Sequence, residues 1–412
     1  MAAYLDRKRA ESLMQTAGMD ALLLLSPEAF RHATGALPGV ATMWRQAGAV
    51  AVLVPADANV DEAAVASDLF ASAFRRASHI TDLRISPIWV EAGTAPAEHE
   101  PDDVAAQMRR LWQAEGRGDD FARPTTFDAQ ITWRHLRDAL ADRGLQNARI
   151  GVEMAAIAAS DWAALQTELA PAQLVDGTRI ARELRAVKSP DEIGFLRQAV
   201  GLAEHGIEAV RDAIAPGVLR SELAAVWQEA VNAKKGALPL TGSWEYISVG
   251  ADPWGGDARA RPGDLIKVDV GCLIEGYTSD TGRTFTLGNP SSAAAQIHKA
   301  LMTGFEAGFA CLTPGTPLSE VHRITTEAIR AQGFTGYARG HFGHGLGTGP
   351  GSEEWPFIAA DAETCITPGM VLAFECPWYI TGLGGFIIED QIEITETGPV
   401  SMNRLQRGLV SL

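Results

Sequence analysis

The chain has 412 residues, of which 46% are hydrophobic and 21% are charged. This length is too great for one ordinary core and predicts two domains, while the composition is typical of a soluble globular protein. A formal net charge of −16 argues against a nucleic-acid partner or an anionic membrane, because both favour a basic protein surface.

The first residues, 1–11, are too polar for a signal peptide. No stretch approaches the roughly 18 uncharged apolar residues that a membrane helix needs. The four cysteines lack CxxC spacing, so free thiols in a reducing compartment are the simplest interpretation. We therefore predict a cytoplasmic protein without a membrane partner.

The first 177 residues alternate between helical and strand-like patterns. Such alternation predicts an α/β layer around a central sheet, and the turn at Asp176-Gly177-Thr178 gives predicted domains of 1–177 and 178–412. Buried strands are predicted over 20–26 and 49–54, short apolar runs over 80–90 and 149–152, and helices over 5–18, 61–76, 101–115, 127–143 and 158–169.

The second domain opens with a clear helix start. Ser189 has the position of an N-cap and Pro190 that of the first helical residue, followed by acids in the first turn. This helix is predicted to extend to about residue 213. Further helices are predicted over 219–233, 292–312 and 318–332.

Four carboxylates and one imidazole lie in the second domain where a strand would normally be apolar. They are Asp269, Asp280 eleven residues later, His344 among glycines, Glu375 at the end of an apolar run, and Glu389 inside another. A carboxylate is costly to bury unless something neutralises it, and divalent cations let several share one site. This ligand set suits manganese, iron, cobalt or zinc. For the hairpin of Asp269 and Asp280 alone, two solvated acids at a β-turn are an equally good interpretation.

The order of these five residues resembles the pita-bread metallopeptidase family, which includes methionine aminopeptidase, aminopeptidase P, prolidase and creatinase. The resemblance implies an α/β (α+β) protein: an N-terminal creatinase-like α/β domain and a C-terminal catalytic domain with a pseudo-symmetric curved sheet. It also implies that the five residues hold two divalent metal ions, bridged by a hydroxide that attacks an amide-type carbon. Glu375 would be a ligand and could also accept the proton of the attacking water.

Partners follow from the same resemblance. A small molecule or dipeptide is the implied substrate, and Xaa-Pro dipeptides are the commonest substrates of this branch. A homodimer is implied because relatives with this two-domain form are commonly dimeric. The turn-rich segment from Gly35 to Gln46, which includes Trp44 and Arg45, is the candidate dimer contact.

The sequence departs from the peptidases around the metal ligands. Accessory histidines of the family are missing: none lies between His205 and His298, and none lies between His344 and Trp355. Where prolidase and aminopeptidase P usually have an arginine, two residues before the last ligand, this chain has Ile387.

Other polar residues are candidates for the missing catalytic roles. Tyr379 matches a tyrosine of the aminopeptidase P pattern that can donate a proton, although a packed tyrosine is an equally good interpretation. Glu353 or Glu354 is a candidate base, with a solvated loop as the alternative. His341 is predicted to flank the site, one residue closer to the metal histidine than in prolidase.

Two tryptophans and two charged residues complete the predicted site. Trp254 and Trp355 are candidates for lining a substrate pocket, either an apolar pocket or one that holds a cation against the ring faces. Simple core packing is the alternative. Asp390 is expected on the opposite face of its strand from Glu389, and Arg283 is expected to stabilise the hairpin or its acids.

Two other functions remain open on the same fold. The stretches around Trp254 and Glu354-Trp355-Pro356 are similar to a branch that acts as a lyase on dimethylsulfoniopropionate, and creatinase cleaves a carbon–nitrogen bond of a guanidino compound. A binding protein with an inactive site is the third alternative. The retention of all five acidic and imidazole residues argues against it.

Overall fold

The computed structural model describes residues 4–93, 103–118, 120–349 and 353–412. The chain divides into two compact units, Met1–Arg185 and Ala186–Leu412. The predicted boundary at 177 precedes a helix, Thr178–Ala186, whose Ile180, Ala181 and Leu184 pack in an apolar core of the first unit. These contacts explain why the division falls after that helix has almost ended.

The first unit is a mixed sheet with helices, and its strands run in the order β4-β3-β2-β1-β5-β6. The strands are β1 Ala21–Leu24, β2 Ala51–Pro55, β3 Ala63–Ser67, β4 Asp82–Ser86, β5 Arg149–Val152 and β6 Gln173–Asp176. The helices are α1 Arg7–Thr16, α2 Pro27–Thr34, α3 Ala41–Trp44, α4 Ala71–Ala77, α5 Val104–Ala114, α6 Ala129–Asp142, α7 Ala159–Leu169 and α8 Thr178–Ala186. Two apolar clusters, on alternating residues of the strands, form its core.

One predicted helix in this unit is wrong in its first half. The prediction over 61–76 covers Ala63–Ser67, which form the buried strand β3, and only Ala71–Ala77 are α-helical. Strand β3 pairs with β2 on one side and β4 on the other, so sheet pairing outweighs the local helical pattern. The other predicted helices are confirmed within a few residues, except that residues 101–102 lie outside the described ranges.

The segment from Gly35 to Gln46 presents apolar side chains to solvent. Met43 is 77% exposed and Trp44 is 55% exposed, and the neighbouring Arg45 forms an ion pair with Glu28 at 2.6 Å. The dimer contact at this segment stays a prediction.

The second unit contains one large sheet, a two-stranded hairpin and two helix pairs. Its helices are α9 Pro190–Ala213, α10 Arg220–Lys234, α11 Ser292–Ala310 and α12 Leu318–Ala331, which confirm the four predicted helices. The first strands are β7 Leu240–Glu245, β8 Ser248–Val249, β9 Leu265–Ile274, β10 Tyr277–Thr278 and β11 Thr281–Thr286. The later strands are β12 His341–Gly345, β13 Glu354–Ala359, β14 Val371–Glu375, β15 Trp378–Ile380, β16 Gly384–Phe386, β17 Glu389–Thr395, β18 Gly398–Ser401 and β19 Val410–Ser411.

The helix pairs pack on the sheet through separate apolar clusters. Helix α9 begins as predicted: Ser189 accepts a hydrogen bond from the backbone of Glu192, whose side chain accepts one from the Ser189 backbone. Helices α9 and α10 pack against β9, and α11 and α12 pack against β14 and β17. The four predicted helices therefore form two pairs that pack on one sheet.

None of the helices in the described ranges is both long enough and apolar enough to cross a bilayer.

Candidate metal centre

Three of the predicted acids lie in one row across the second unit's sheet. Asp269 of β9 pairs with Gly282 of β11, Gly282 pairs with Glu389 of β17, and Glu389 pairs with Glu375 of β14. Gly282 has no side chain to separate the acids on either side of it. Hydrogen-bonded strands are spaced by about 4.8 Å, so the backbone sets the separations within this row.

Asp280, His344 and Glu389 form the tightest group of possible ligands. Each offers one ligand atom, and these atoms lie within 4.8 Å of one another. The His344 Nε2 atom is 3.5 Å from an Asp280 oxygen. All three side chains are buried, at 4%, 2% and 2% exposure respectively.

Local backbone geometry aims the His344 ring. The preceding Gly343 has a φ of +133°, and a Cβ at that residue would meet the carbonyl oxygen of Ala373 on the neighbouring strand. The His344 Nδ1 atom lies 3.0 Å from the Gly345 carbonyl oxygen, which requires Nδ1 to carry the proton and leaves Nε2 as an acceptor. This is the arrangement that a metal-ligating histidine commonly has.

The hydrogen-bonding state of this group fits a divalent cation. Asp280 Oδ1 and Glu389 Oε2 are buried without a hydrogen-bond partner. Buried carboxylate oxygens without partners carry a large desolvation cost. Two such oxygens and an acceptor nitrogen are the ligands that borderline divalent ions prefer.

Asp269 and Glu375 differ from that group because each has an internal cation. The Lys267 ammonium is 2.9 Å from Asp269, and Arg339 lies 2.6 Å from Glu375. Arg339 also donates to the carbonyl oxygen of His341. The predicted five are therefore brought to one region, but with two different electrostatic environments.

Sequence reasoning missed Lys267 and Arg339. Lys267 lies two residues before Asp269 on one strand, so the period-two alternation of strand side chains could have placed both on one face. Arg339 reaches Glu375 across 36 residues of chain, and no local signal indicates this contact.

The predicted proton-transfer residues are unequally placed. His341 lies 3.9 Å from Glu375 and 4.0 Å from Glu353, whose side chain is 50% exposed. Glu354 instead forms an ion pair with the buried Lys188 at 2.7 Å, which favours Glu353 as the candidate base. Burial, followed by the charges of Asp269 and Glu375, raises the pKa of the Tyr379 hydroxyl, so that hydroxyl retains its proton at neutral pH.

The two tryptophans have different surroundings. Trp254 is 68% exposed, its ring lies 4.6 Å from the Tyr379 ring, and it lines a cavity of about 390 Å³ together with Lys267. Trp355 is partly buried and packs against the apolar core of the second unit. Trp254 is therefore the better placed candidate for a substrate contact.

The remaining predicted residues lie behind the centre. Asp390 points away from Glu389's ligand atoms and accepts hydrogen bonds from Arg283 at 2.8 Å and from Arg407. Arg283 also donates to the Glu389 carbonyl oxygen at 2.6 Å. These contacts hold the backbone that carries Glu389.

Titration of the buried acids predicts an inverted pH dependence for the metal-stripped protein. Burial and nearby carboxylates raise the pKa of Asp280 and of Glu389 well above 3.8 and 4.5, their ordinary values. Protonation of these two acids therefore stabilises the folded protein. This contribution is fully present below the ordinary pKa values and is lost as pH rises through the folded-state pKa values. We expect the free energy of unfolding of the stripped protein to fall as pH rises above those ordinary values, by about 1.4 kcal/mol per pH unit for each of these acids that loses its proton.

Calorimetry of stripped and manganese-loaded protein checks this dependence. Ion binding requires deprotonated ligands, so the loaded protein is expected to lose stability on acidification over the same range. Equal slopes for the two forms would contradict the prediction.

Comparison with known proteins finds relatives that are peptidases. The profile of metallopeptidase family M24 matches residues 194–396. The Xaa-Pro dipeptidase of Pyrococcus furiosus is 30% identical over 236 residues, which cover 56% of this chain and 67% of that protein. The probable dipeptidase PepE of Mycobacterium tuberculosis is 33% identical over 239 residues, which cover 57% of this chain and 62% of that protein.

Solved structures match the fold over nearly the whole chain. Dipeptidase PepE from Mycobacterium ulcerans has a TM-score of 0.75 at 22% identity and covers 98% of this chain and 96% of its own. The prolidase of Pyrococcus horikoshii has a TM-score of 0.73 at 20% identity, with 98% and 99% covered. The predicted pita-bread fold is thereby confirmed.

Proposed function

Because the chain belongs to metallopeptidase family M24, we propose that it is a metal-dependent hydrolase that cleaves an amide-type carbon–nitrogen bond in a small substrate. The observation that supports this most directly is the buried group of Asp280, His344 and Glu389, with two carboxylate oxygens lacking partners. Such a group is costly to maintain without a cation.

In this proposal the centre holds two divalent ions. Asp280, His344 and Glu389 would hold one ion, and Asp269 and Glu375, which lie on either side of Glu389 in the row, would complete the ligand set for two. Bound ions supply Lewis-acid polarisation of the scissile group and activation of water near neutral pH. The protein itself excludes bulk water and fixes the strands that carry the ligands.

The proposed proton transfers use residues beside the ligands. Glu375 accepts the proton of the attacking water. Tyr379, whose hydroxyl remains protonated, donates to the leaving nitrogen. His341 lies between Glu375 and the exposed Glu353, so it is placed to relay protons towards solvent.

Xaa-Pro dipeptides are the proposed substrates. The Pyrococcus furiosus relative is an Xaa-Pro dipeptidase, which supports this class. The cavity of about 390 Å³ beside Trp254 has the volume for such a ligand, and it adjoins the centre through Lys267, the partner of Asp269. The test is proline release from a panel of Xaa-Pro dipeptides by stripped protein to which manganese, iron, cobalt or zinc has been restored. Absence of release with every metal and dipeptide would overturn the peptidase assignment.

Replacement of Tyr379 by phenylalanine tests the proposed proton donor. The ring and its packing against Trp254 remain, while the donor is lost, so we expect kcat to fall by about 10²-fold or more. Metal content, measured by mass spectrometry, should be unchanged. Unaltered kcat would assign Tyr379 to packing alone.

A second candidate is a non-peptidase reaction on the same centre, of the dimethylsulfoniopropionate-lyase or creatinase type. A specific observation favours keeping it: Trp254 is 68% exposed and its ring lies 4.6 Å from the Tyr379 ring, so an accessible aromatic surface that could contact a cationic substrate lies beside the centre. Creatine and dimethylsulfoniopropionate therefore belong in the assay panel. Urea or acrylate release, with no cleavage of any dipeptide, would favour this candidate.

A further inference from the structure

The four acids of the candidate centre differ in whether the protein already neutralises them. Within the described ranges, Asp280 and Glu389 pair with no lysine or arginine, and each retains a buried oxygen without a partner. Asp269 has the Lys267 ammonium at 2.9 Å. Glu375 has the Arg339 guanidinium at 2.6 Å.

Lys267 is a fixed part of the second unit's interior. Its side chain is 1% exposed, and its stem lies against Gly385, where a Cβ would come within 3.4 Å of it. The ammonium is flanked by the rings of Trp254 and Tyr379. A surface lysine could turn into solvent when an ion approaches, whereas this one is held beside Asp269.

We infer that Lys267 makes the two metal positions unequal, by acting as a built-in competitor for the ion at Asp269. This inference rests on the proposed function. The first ion binds at Asp280, His344 and Glu389, where no other cation of the described chain neutralises the acids. The second ion must enter beside an ammonium that already pairs with its ligand.

Charge arithmetic supports a large separation between the two steps. Like charges a few ångströms apart repel strongly in a buried site, where the effective dielectric constant is well below that of water. At limiting metal the protein would therefore carry one ion, with the lysine ammonium at the second position, and Lys267 is a positioning residue for that state.

Titration of stripped protein with Co²⁺ alone, followed by calorimetry, tests the inference without an activity assay. Wild-type protein should bind the first equivalent tightly and the second at least about tenfold more weakly, a difference of about 1.4 kcal/mol or more. Lys267→Met keeps the length of the stem and removes the charge. It should strengthen the second step by about tenfold or more, while the first step changes less. Lys267→Arg, which preserves the charge, should retain the separation.

Two further variants keep the result interpretable. Asp269→Asn should abolish the weak step and leave the tight one, which assigns the weak step to this position. Lys188→Met removes another buried lysine, paired with Glu354 outside the five ligands, and should leave both steps unchanged.

Several outcomes would overturn the inference. Two equally tight binding steps in wild-type protein would overturn the inference, and so would an unchanged second step in folded Lys267→Met. Either result would leave the proposed hydrolase function intact. If that variant does not fold, a weak step that persists in Asp269→Asn would also overturn it. Failure of wild-type protein to bind any Co²⁺ would remove the proposed function itself, and the inference with it.

Discussion

Asp280→Asn is expected to eliminate metal binding and hydrolysis while making the metal-stripped protein more stable. The carboxamide keeps the shape of the side chain but removes a buried ionisable group, whose pKa is raised first by burial and then by the neighbouring carboxylates. We expect stripped protein to gain about 1–2 kcal/mol of unfolding free energy at neutral pH. Loss of the metal's contribution should lower kcat/KM at least about 10³-fold, or about 4 kcal/mol.

The control for this variant is Asp361→Asn, which makes the same change on an exposed turn. It should alter neither metal content nor activity. Urea unfolding of stripped protein measures the stability, and mass spectrometry measures the bound metal. A less stable stripped Asp280→Asn protein would contradict the view that the metal relieves a strained group of acids.

Arg283→Met is expected to have the largest effect on stability. The Arg283 side chain is 2% exposed and pairs with Asp390, which is 1% exposed. It also donates to the carbonyl oxygens of Glu389 and Gln406. The variant removes the Arg283 donor from these carbonyl oxygens and leaves Asp390 with Arg407 as its remaining cation, at a cost of about 3 kcal/mol. Urea unfolding with manganese present measures this loss.

Arg407→Met is the matched control because Arg407 pairs with the same acid. Its side chain is 30% exposed, so solvent can replace much of its contribution and we expect a loss of about 1 kcal/mol or less. Equal losses for the two variants would mean that burial of Arg283 does not control the energetics of Asp390.

The candidate ligands stand out in the sequence because charged residues inside apolar runs are unusual. Glu375 ends one such run and Glu389 lies in another, and few structural roles tolerate a carboxylate there. His344 among glycines was detectable for a different reason: the Gly343 backbone conformation is one that residues with a Cβ rarely adopt.

The internal cations could not be predicted in the same way. Arg339 forms its ion pair with Glu375 only because β12 and β14 pair in the folded sheet and bring the two residues together. Glu353 and Glu354 are adjacent in sequence, yet only the structure assigns Glu354 to an ion pair with Lys188. Strand β3 was misjudged for a related reason, because neighbouring strands determine its conformation.

The row of Asp269, Gly282, Glu389 and Glu375 also has a consequence for folding. These residues come from four strands, and their alignment depends on the hydrogen-bond register of every pair between them. A slip of one residue would turn an acid to the opposite face of the sheet. Only molecules whose strands had paired in the native register would then bind the ion. Metal added during refolding would therefore shift the population towards that register by mass action.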